Sequence, residues 1–138
     1  MQPLAIITDT EIDLAALRAY VTSNDHGAIA EFTGVVRNHD HGKSVTELEY
    51  QVHPDAQLAL AEILQRHATL QPETRIAAAH RFGLLGIGDV AFAAAVSSAH
   101  RDLAFLVLRD VVESVKAELP IWKRQQFADG SHEWVSFA

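Results

Sequence analysis

The feature that most constrains the fold is an apolar strand that leads almost directly into a long amphipathic helix. Residues 89–97 (DVAFAAAVS) are almost wholly apolar, which predicts a buried strand. From about Arg101 to Glu118 apolar side chains recur at three- and four-residue steps, at Ala104, Val107, Leu108, Val111, Val115 and Leu119. Pro120 ends this helix. The pair predicts an α+β fold in which a long helix packs on a mixed or antiparallel sheet.

The remaining segments extend this pattern. Further strands are predicted from β-branched and apolar content over residues 4–8, 28–36, 45–52 and 75–81. Thr10 with Asp13 resembles a capping box that opens a first helix, and Pro54 suits the first turn of a second. After the polar run WKRQQF, Asp129-Gly130 indicates a hairpin that leads to a final strand, HEWVSF. The length favours a single domain over residues 1–138.

Charge and cysteine content exclude several functions. The formal net charge of −7 disfavours non-specific binding to nucleic acid or to anionic membranes. The chain has no cysteine, so any sulfur that it handles must arrive on another molecule. No apolar stretch approaches the roughly 18 residues of a membrane span, and the N-terminal sequence lacks the basic region of a secretory signal. We therefore expect a cytoplasmic protein.

Common catalytic motifs are incomplete in this chain. The run GKS at residues 42–44 looks like the end of a phosphate-binding P-loop, but that motif needs glycine where Arg37 stands. His39 and His41 form an H-x-H pair without the other spacings of a metal site, so no metal is predicted. The segment SSAHRD has the residue types of a hydrolase triad but no G-x-S-x-G elbow. A phosphatase or hydrolase that uses His100 is kept as an alternative.

The remaining chemistry lies in four segments, FTGVVRNH (32–39), HRFGLLGIGD (80–89), SSAHRDLAF (97–105) and VKAELPIWKR (115–124). Arg37 and Arg101 can each hold a phosphate or carboxylate through two hydrogen bonds. His100 and Arg101 lie near a helix N-terminus, whose free N–H groups also favour anions. Lys116 and Lys123 are two of only three lysines in an acidic chain. Taken singly, each residue is more readily explained as a surface, capping or ion-pair residue, but together they predict a site for a small anion.

In this order the four segments resemble the large subunit of molybdopterin synthase. The family's motifs FTGxVR, HRxGxLxxG(D/E), SxAHRxxAF and PxWK are present almost intact. Each motif is weak alone, and the four together are specific. The similarity extends from about Gly27 to Val135, which is most of the chain.

The resemblance implies a fold, a reaction and partners. The family folds as an α/β hammerhead-like domain and forms a homodimer within a heterotetramer. Each large subunit binds a small ubiquitin-like sulfur-carrier subunit, whose C-terminal Gly-Gly ends in a thiocarboxylate that donates sulfur to cyclic pyranopterin monophosphate. Two transfers form the dithiolene of molybdopterin, a step of molybdenum cofactor biosynthesis. The resemblance implies no bound cofactor, nucleic acid or membrane, and the lack of cysteine fits a sulfur that the partner supplies.

The resemblance also assigns residues. Lys116 and Lys123 match the family's two essential lysines, and we expect them to neutralise the thiocarboxylate and stabilise oxyanions, with one of them a candidate general acid. Arg37 matches an arginine that binds substrate, through its phosphate. His100 and Arg101 match residues that the neighbouring subunit contributes. The full set expected to bind substrate is Val35, Val36, Arg37, His100, Arg101, Arg124 and Gln125.

Gln125 departs from the family pattern, which usually reads WKRE or WKKE. Glutamine forms hydrogen bonds but cannot pair electrostatically with a lysine, so we expect a lower pKa for Lys123 than a glutamate neighbour would give. The same departure keeps a non-catalytic alternative open, in which the chain is an anion-binding or scaffold relative that still binds the small subunit.

Overall fold

The computed structural model describes residues 1–40 and 42–136. This part of the chain contains three helices and nine strands, in the order β1 (Leu4–Thr8), α1 (Leu14–Val21), β2 (Ala28–Val35), β3 (His39–Asp40), β4 (Lys43–Val52), α2 (Ala56–Leu70), β5 (Arg75–Arg81), β6 (Gly83–Leu85), β7 (Val90–Ser98), α3 (Arg101–Glu118), β8 (Ile121–Phe127) and β9 (His132–Ser136). The predicted α+β class is confirmed, and so is the strand–helix pair formed by β7 and α3.

The first sheet has the strand order β1-β5-β7-β2 and is covered on both faces. β1 runs parallel to β5, whereas β5 and β2 run antiparallel to β7. Ala77 on β5 lies opposite Ala95 on β7, and both pack in one cluster with Leu17 and Val21 of α1. Alternate residues of the same strands face α2 and α3. Burial on both faces explains why β5 and β7 read as continuous apolar runs.

The second sheet is antiparallel, with the order β3-β4-β8-β9 and with β6 paired to β4. Val45, Leu48 and Tyr50 of β4 join Ile121 and Phe127 of β8 in the same buried cluster as the inner side of the first sheet. The two sheets therefore share one core, and a cavity remains where they meet.

β8 includes the polar run at residues 122–127, to which the sequence assigned no helix or strand. Ile121, Lys123, Gln125 and Phe127 alternate along one face of this strand, and all four are buried or half-buried. Because two of them are polar, the sequence shows no apolar alternation. The strand forms because β4 and β9 pair with its backbone on both sides. Its link to β9 is the predicted hairpin, although residue 137, the last of the predicted final strand, lies outside the described residues.

α3 packs against β7, β2 and α2. Its buried side chains, Ala104, Val107, Val111, Val112 and Val115, form the stripe that the periodicity predicted. The helix ends at Glu118, and the Leu119 N–H donates to the Val115 carbonyl at 3.0 Å. No helix in the described residues is both long and apolar enough to cross a membrane.

α1 begins later than the predicted capping box at Thr10. Asp13 is the N-cap, and its carboxylate accepts a hydrogen bond from the Ala16 N–H at 3.0 Å. Thr10 instead forms a 2.9 Å hydrogen bond with the Thr8 hydroxyl. An aspartate side chain can accept a hydrogen bond from a free N–H group of a first turn without a reciprocal partner, so Asp13 alone caps the helix.

Candidate active site

A cavity of about 350 Å³ lies where the two sheets meet the last turn of α3. Its apolar wall includes Phe32, Leu48, Phe92, Val115 and Ile121. Its polar lining comes from five different elements and the loop after β2, and consists of Arg37, Asp40, Tyr50, His80, Lys116, Lys123 and Gln125. An apolar pocket with a few convergent polar groups is the usual form of a small-molecule site.

The turn between α3 and β8 brings the two C-terminal lysines to this cavity. Lys116 lies in the last turn of α3, and Lys123 is the third residue of β8. Leu119 and Ile121 between them are buried, which anchors both ends of the turn in the core. Lys123 is also flanked by Tyr50 on β4 and Val135 on β9. Residues seven positions apart therefore border one cavity because the chain reverses direction at Pro120.

The surroundings of Lys123 favour its neutral form. Burial is the largest influence and lowers the pKa of its ammonium group. The Asp40 carboxylate opposes this effect, Lys116 and Arg37 lower the pKa further, and Glu133 raises it. A lysine whose pKa is lowered in this way releases its proton more readily than a surface lysine, as a general acid requires.

Four side chains of alternating donors and acceptors connect the cavity to the edge of the second sheet. Arg37 Nη2 lies 3.1 Å from Asp40 Oδ1. Gln125 Nε2 donates to Asp40 Oδ2 at 2.7 Å and to Glu133 Oε1 at 3.1 Å. The Gln125 side chain is only 4% exposed. Its amide thus holds two carboxylates together in a buried position, which a negatively charged side chain there would not do.

His80 is a buried histidine in the cavity wall. Its ring lies 5.0 Å from the Tyr50 ring, edge-on, and 5.6 Å from the Phe92 ring. The pKa of His80 is lowered to about 4, and burial is the largest cause. The charge of Lys116 lowers this pKa further, whereas the hydrogen bond to the Arg81 backbone partly opposes the shift. Burial also raises the pKa of Tyr50 to about 12. Both side chains are therefore neutral at pH 7.

The model of the MoaE protein family matches residues 7–118. The chain belongs to the MoaE family. It is 37% identical to molybdopterin synthase catalytic subunit 1 of Mycobacterium tuberculosis, over 96% of this chain and 90% of that protein. These matches confirm the resemblance seen in the four segments.

Solved structures agree with this assignment. Molybdopterin synthase from Staphylococcus aureus superimposes with a TM-score of 0.89 at 32% identity, over 95% of this chain and 96% of that chain. A chain in the complex of subunits 1 and 2 of molybdopterin-converting factor from Helicobacter pylori has the same fold, with a TM-score of 0.73 at 19% identity, over 99% of this chain and 90% of that chain.

Six of the nine predicted site residues of this MoaE family member border the cavity: Val35, Val36, Arg37, Lys116, Lys123 and Gln125. A β-bulge between Gly34 and Val35 ends the regular pairing of β2 with β7. Val36 then turns inward, and its N–H donates to the Asp89 carbonyl at 2.9 Å. The bulge therefore directs the chain so that Arg37 follows at the cavity rim.

The other three predicted residues lie elsewhere on this chain. Arg124 points to the opposite face of β8 from Lys123, with Nη1 3.7 Å from Glu49 Oε1. His100 and Arg101 are exposed at the N-terminal end of α3, whereas Lys116 is in its last turn. At about 1.5 Å per residue, the helix separates Arg101 from Lys116 by roughly 22 Å. Within one chain, these two residues therefore cannot touch one small ligand.

Asp40 and His80 are cavity residues to which the sequence analysis gave no role. Asp40 stands in a polar loop, where an acidic residue is unremarkable, and its contact with Gln125 depends on the pairing of β4 with β8. His80 begins the motif HRFGLLGIGD and is a polar residue at the end of an apolar strand, which was the available signal.

No group of three or more histidine, aspartate or glutamate side chains in the described residues has the geometry of a metal site. His39 Nδ1 lies 3.1 Å from Asn38 Oδ1, and the second histidine of the H-x-H pair, His41, lies outside the described residues.

Proposed function

We propose that this chain is the catalytic subunit of a molybdopterin synthase. It transfers sulfur from the C-terminal thiocarboxylate of a small ubiquitin-like subunit to cyclic pyranopterin monophosphate, and two transfers form the dithiolene. The observation that carries the proposal is the cavity that Arg37, Lys116 and Lys123 share in a chain of net charge −7. Both reactants are anionic, so a cationic cavity in an acidic protein selects them over other parts of the surface.

The two lysines act on the charges that the transfer creates. In each transfer the thiocarboxylate sulfur bonds to a carbon of the substrate and an oxygen leaves that carbon, which gives a thioester. Water then cleaves the acyl–sulfur bond, so the sulfur stays on the substrate and the partner's tail ends as a carboxylate. Lys116 and Lys123 neutralise the entering thiocarboxylate and stabilise the oxyanion of the acyl carbon as its bond to sulfur breaks. Lys123 is a candidate general acid, because burial lowers the pKa of its ammonium group. Arg37, fixed by Asp40, binds the substrate phosphate, and Val35 and Val36 line the same pocket.

The proposal includes a homodimer in which each copy completes the site of the other. His100 and Arg101 of one copy reach the cavity of its partner, since the length of α3 keeps them from their own. A two-fold axis makes this exchange reciprocal, so that a dimer has two equivalent sites. Binding of the small subunit to each copy gives the heterotetramer, and the Helicobacter pylori neighbour, a complex of two subunits, is a precedent for such an assembly on this fold. We also propose a cytoplasmic location, in keeping with the biosynthetic role of the curated relatives.

Single-turnover conversion of cyclic pyranopterin monophosphate tests the proposal. Wild-type protein and Lys123→Ala are each mixed with thiocarboxylated small subunit, and dithiolene formation is followed. We expect the wild type to form dithiolene and Lys123→Ala to be slower by about 10²- to 10³-fold, as for the loss of one oxyanion-stabilising group.

Lys43→Ala is the matched control, because it removes the third lysine, which is exposed and lies 3.5 Å from Asp129 on the far hairpin. Its rate should equal that of the wild type. A wild-type protein that binds the small subunit but transfers no sulfur would instead support the scaffold alternative. Ester hydrolysis without the small subunit would support the hydrolase alternative.

A further inference from the structure

The His80 imidazole is a cavity group that the proposed function does not use. It lies at the end of β5 on the same side as Ile76 and Ala78, and it is only 2% exposed. The rings of Tyr50 and Phe92 contact it from two directions. These contacts restrict its rotation, so the ring presents a fixed edge to the cavity.

The backbone of Arg81 determines which ring nitrogen carries the hydrogen. His80 Nδ1 lies 2.9 Å from the Arg81 carbonyl oxygen. A carbonyl can only accept, so Nδ1 must donate, and in the neutral ring Nε2 therefore has a free lone pair. Burial and the nearby Lys116 charge keep the ring neutral, with a pKa of about 4.

Nε2 faces space that a ligand can occupy. Nε2 of His80 makes no hydrogen bond within residues 1–40 and 42–136. Among the fully buried side-chain nitrogen and oxygen atoms of these residues, Arg81 Nε is the one without a partner, so His80 Nε2 is not a fully buried atom. Nε2 is therefore not sealed in the core, and the ring borders the cavity together with Lys116 and Lys123. The His80 Nε2 atom is a neutral hydrogen-bond acceptor beside cationic side chains. It can accept a hydrogen bond from an N–H or O–H group, and it has no hydrogen to donate to an anion.

We propose that His80 determines ligand specificity, with Nε2 accepting a hydrogen bond from an N–H or O–H donor on the ring system of the ligand. The cationic side chains then hold the anionic end of the ligand, and His80 distinguishes a donor-bearing heterocycle from any other phosphate of similar size. The inference rests on the proposed function, because a pterin ring carries N–H and amino donors.

The test compares His80→Phe with His80→Gln by calorimetry in the dimeric full-length protein. Phenylalanine keeps a ring between Tyr50 and Phe92 but has no acceptor, and glutamine restores an acceptor near the position of Nε2. We expect His80→Phe to weaken binding of cyclic pyranopterin monophosphate by about 10- to 100-fold, with partial recovery in His80→Gln. Affinity for inorganic phosphate and for the small subunit should change less than about twofold, which is the size of a small packing effect.

Unchanged substrate affinity in His80→Phe would overturn the inference while the proposed function stands. Equal losses for substrate, phosphate and small subunit would also overturn it, because they would show a general role in packing. The titration of wild-type protein with substrate tests the proposed function separately. A wild type that fails to bind the substrate would overturn the proposed function itself.

A measurement on the wild type avoids dependence on the folding of the variants. In protein labelled with ¹⁵N-histidine, the pKa of about 4 keeps the His80 ring neutral at pH 6.5, with an unprotonated Nε2. Substrate should shift this Nε2 resonance toward that of a hydrogen-bonded nitrogen, whereas inorganic phosphate should not. An Nε2 resonance that is the same with substrate and with phosphate would contradict the proposed contact.

Discussion

Replacing Gln125 by glutamate tests whether the buried amide holds the polar network of the cavity together. Gln125 Nε2 donates to Asp40 Oδ2 at 2.7 Å and to Glu133 Oε1 at 3.1 Å. An ionised glutamate of the same length has no hydrogen to donate, and it would place a third negative charge beside these two carboxylates. Gln125→Glu therefore removes two hydrogen bonds and adds repulsion at a site that is only 4% exposed.

The expected loss of stability follows from these contacts. A hydrogen bond to a charged group contributes about 1.5–3 kcal/mol, and the half-buried Glu133 belongs at the lower end of this range. Asp40 keeps its contact with Arg37. We therefore expect Gln125→Glu to lower the free energy of unfolding by about 3 kcal/mol at pH 8. At about 4 °C per kcal/mol for a chain of this length, the melting temperature should fall by about 12 °C.

The loss should depend on pH with a definite sign. Burial and the two neighbouring carboxylates raise the pKa of the new carboxyl in the folded state above its unfolded value. A group of this kind supports stability below its unfolded pKa, and the support is lost as pH rises through the folded pKa. When protonated, the glutamate can again donate to Asp40. The difference from wild type should therefore be small at pH 5 and large at pH 8.

Chemical denaturation at pH 5 and pH 8 measures both quantities for wild type, Gln125→Glu and the control Gln51→Glu. Gln51 is exposed on β4 of the same sheet, so the same substitution there should change stability by less than about 0.5 kcal/mol. A Gln125→Glu protein as stable as wild type at pH 8 would refute the reasoning. A loss of equal size at both pH values would refute the electrostatic part of it.

Two further predictions concern catalysis. If Lys123 acts in its protonated form, activity falls as the pH rises through the pKa of Lys123. Gln125→Glu should raise that pKa and so move the basic limb of the pH–rate profile to higher pH. Superimposable profiles of the wild type and the variant would contradict this. Arg101→Ala and Lys123→Ala should each retain at most about 1% of wild-type activity alone. An equal mixture, after exchange of subunits, should recover about a quarter of wild-type activity, because half the dimers then have one intact site of two. A mixture that is no more active than its components would exclude a shared site. The control is a mixture of Arg101→Ala with Lys43→Ala in place of Lys123→Ala.

The sequence predicts best those parts of the fold that bury apolar side chains in a regular period. β7 and α3 were predicted to within about a residue because their apolar positions repeat without interruption. β8 was missed because Lys123 and Gln125 occupy two of its four inward positions. Local sequence rules fail where side chains serve a site instead of the core, so the missed strand is also the one that carries the candidate catalytic lysine.

The polar cavity residues show a second limit. Asp40 is three residues from Arg37 in sequence, but it meets Gln125 across 85 positions, in a sheet where β3 pairs with β4 and β4 pairs with β8. Periodicity contains no information on such a contact. His80 lies within a motif that the sequence made visible, but the tautomer that gives it an acceptor depends on the backbone of Arg81.

The contacts of Gln125 also bear on the choice between a catalyst and a scaffold. Lys123 lacks the glutamate that usually follows two positions later in the MoaE family, and this was the feature that favoured a non-catalytic relative. Asp40 and Glu133 both act on the Lys123 charge, and Gln125 joins these two carboxylates through one amide nitrogen. The negative charge near the lysine therefore comes from β3 and β9 instead of from β8. A glutamate at position 125 would repel both, so glutamine is the residue that this arrangement requires, and the departure is no argument for a lost reaction.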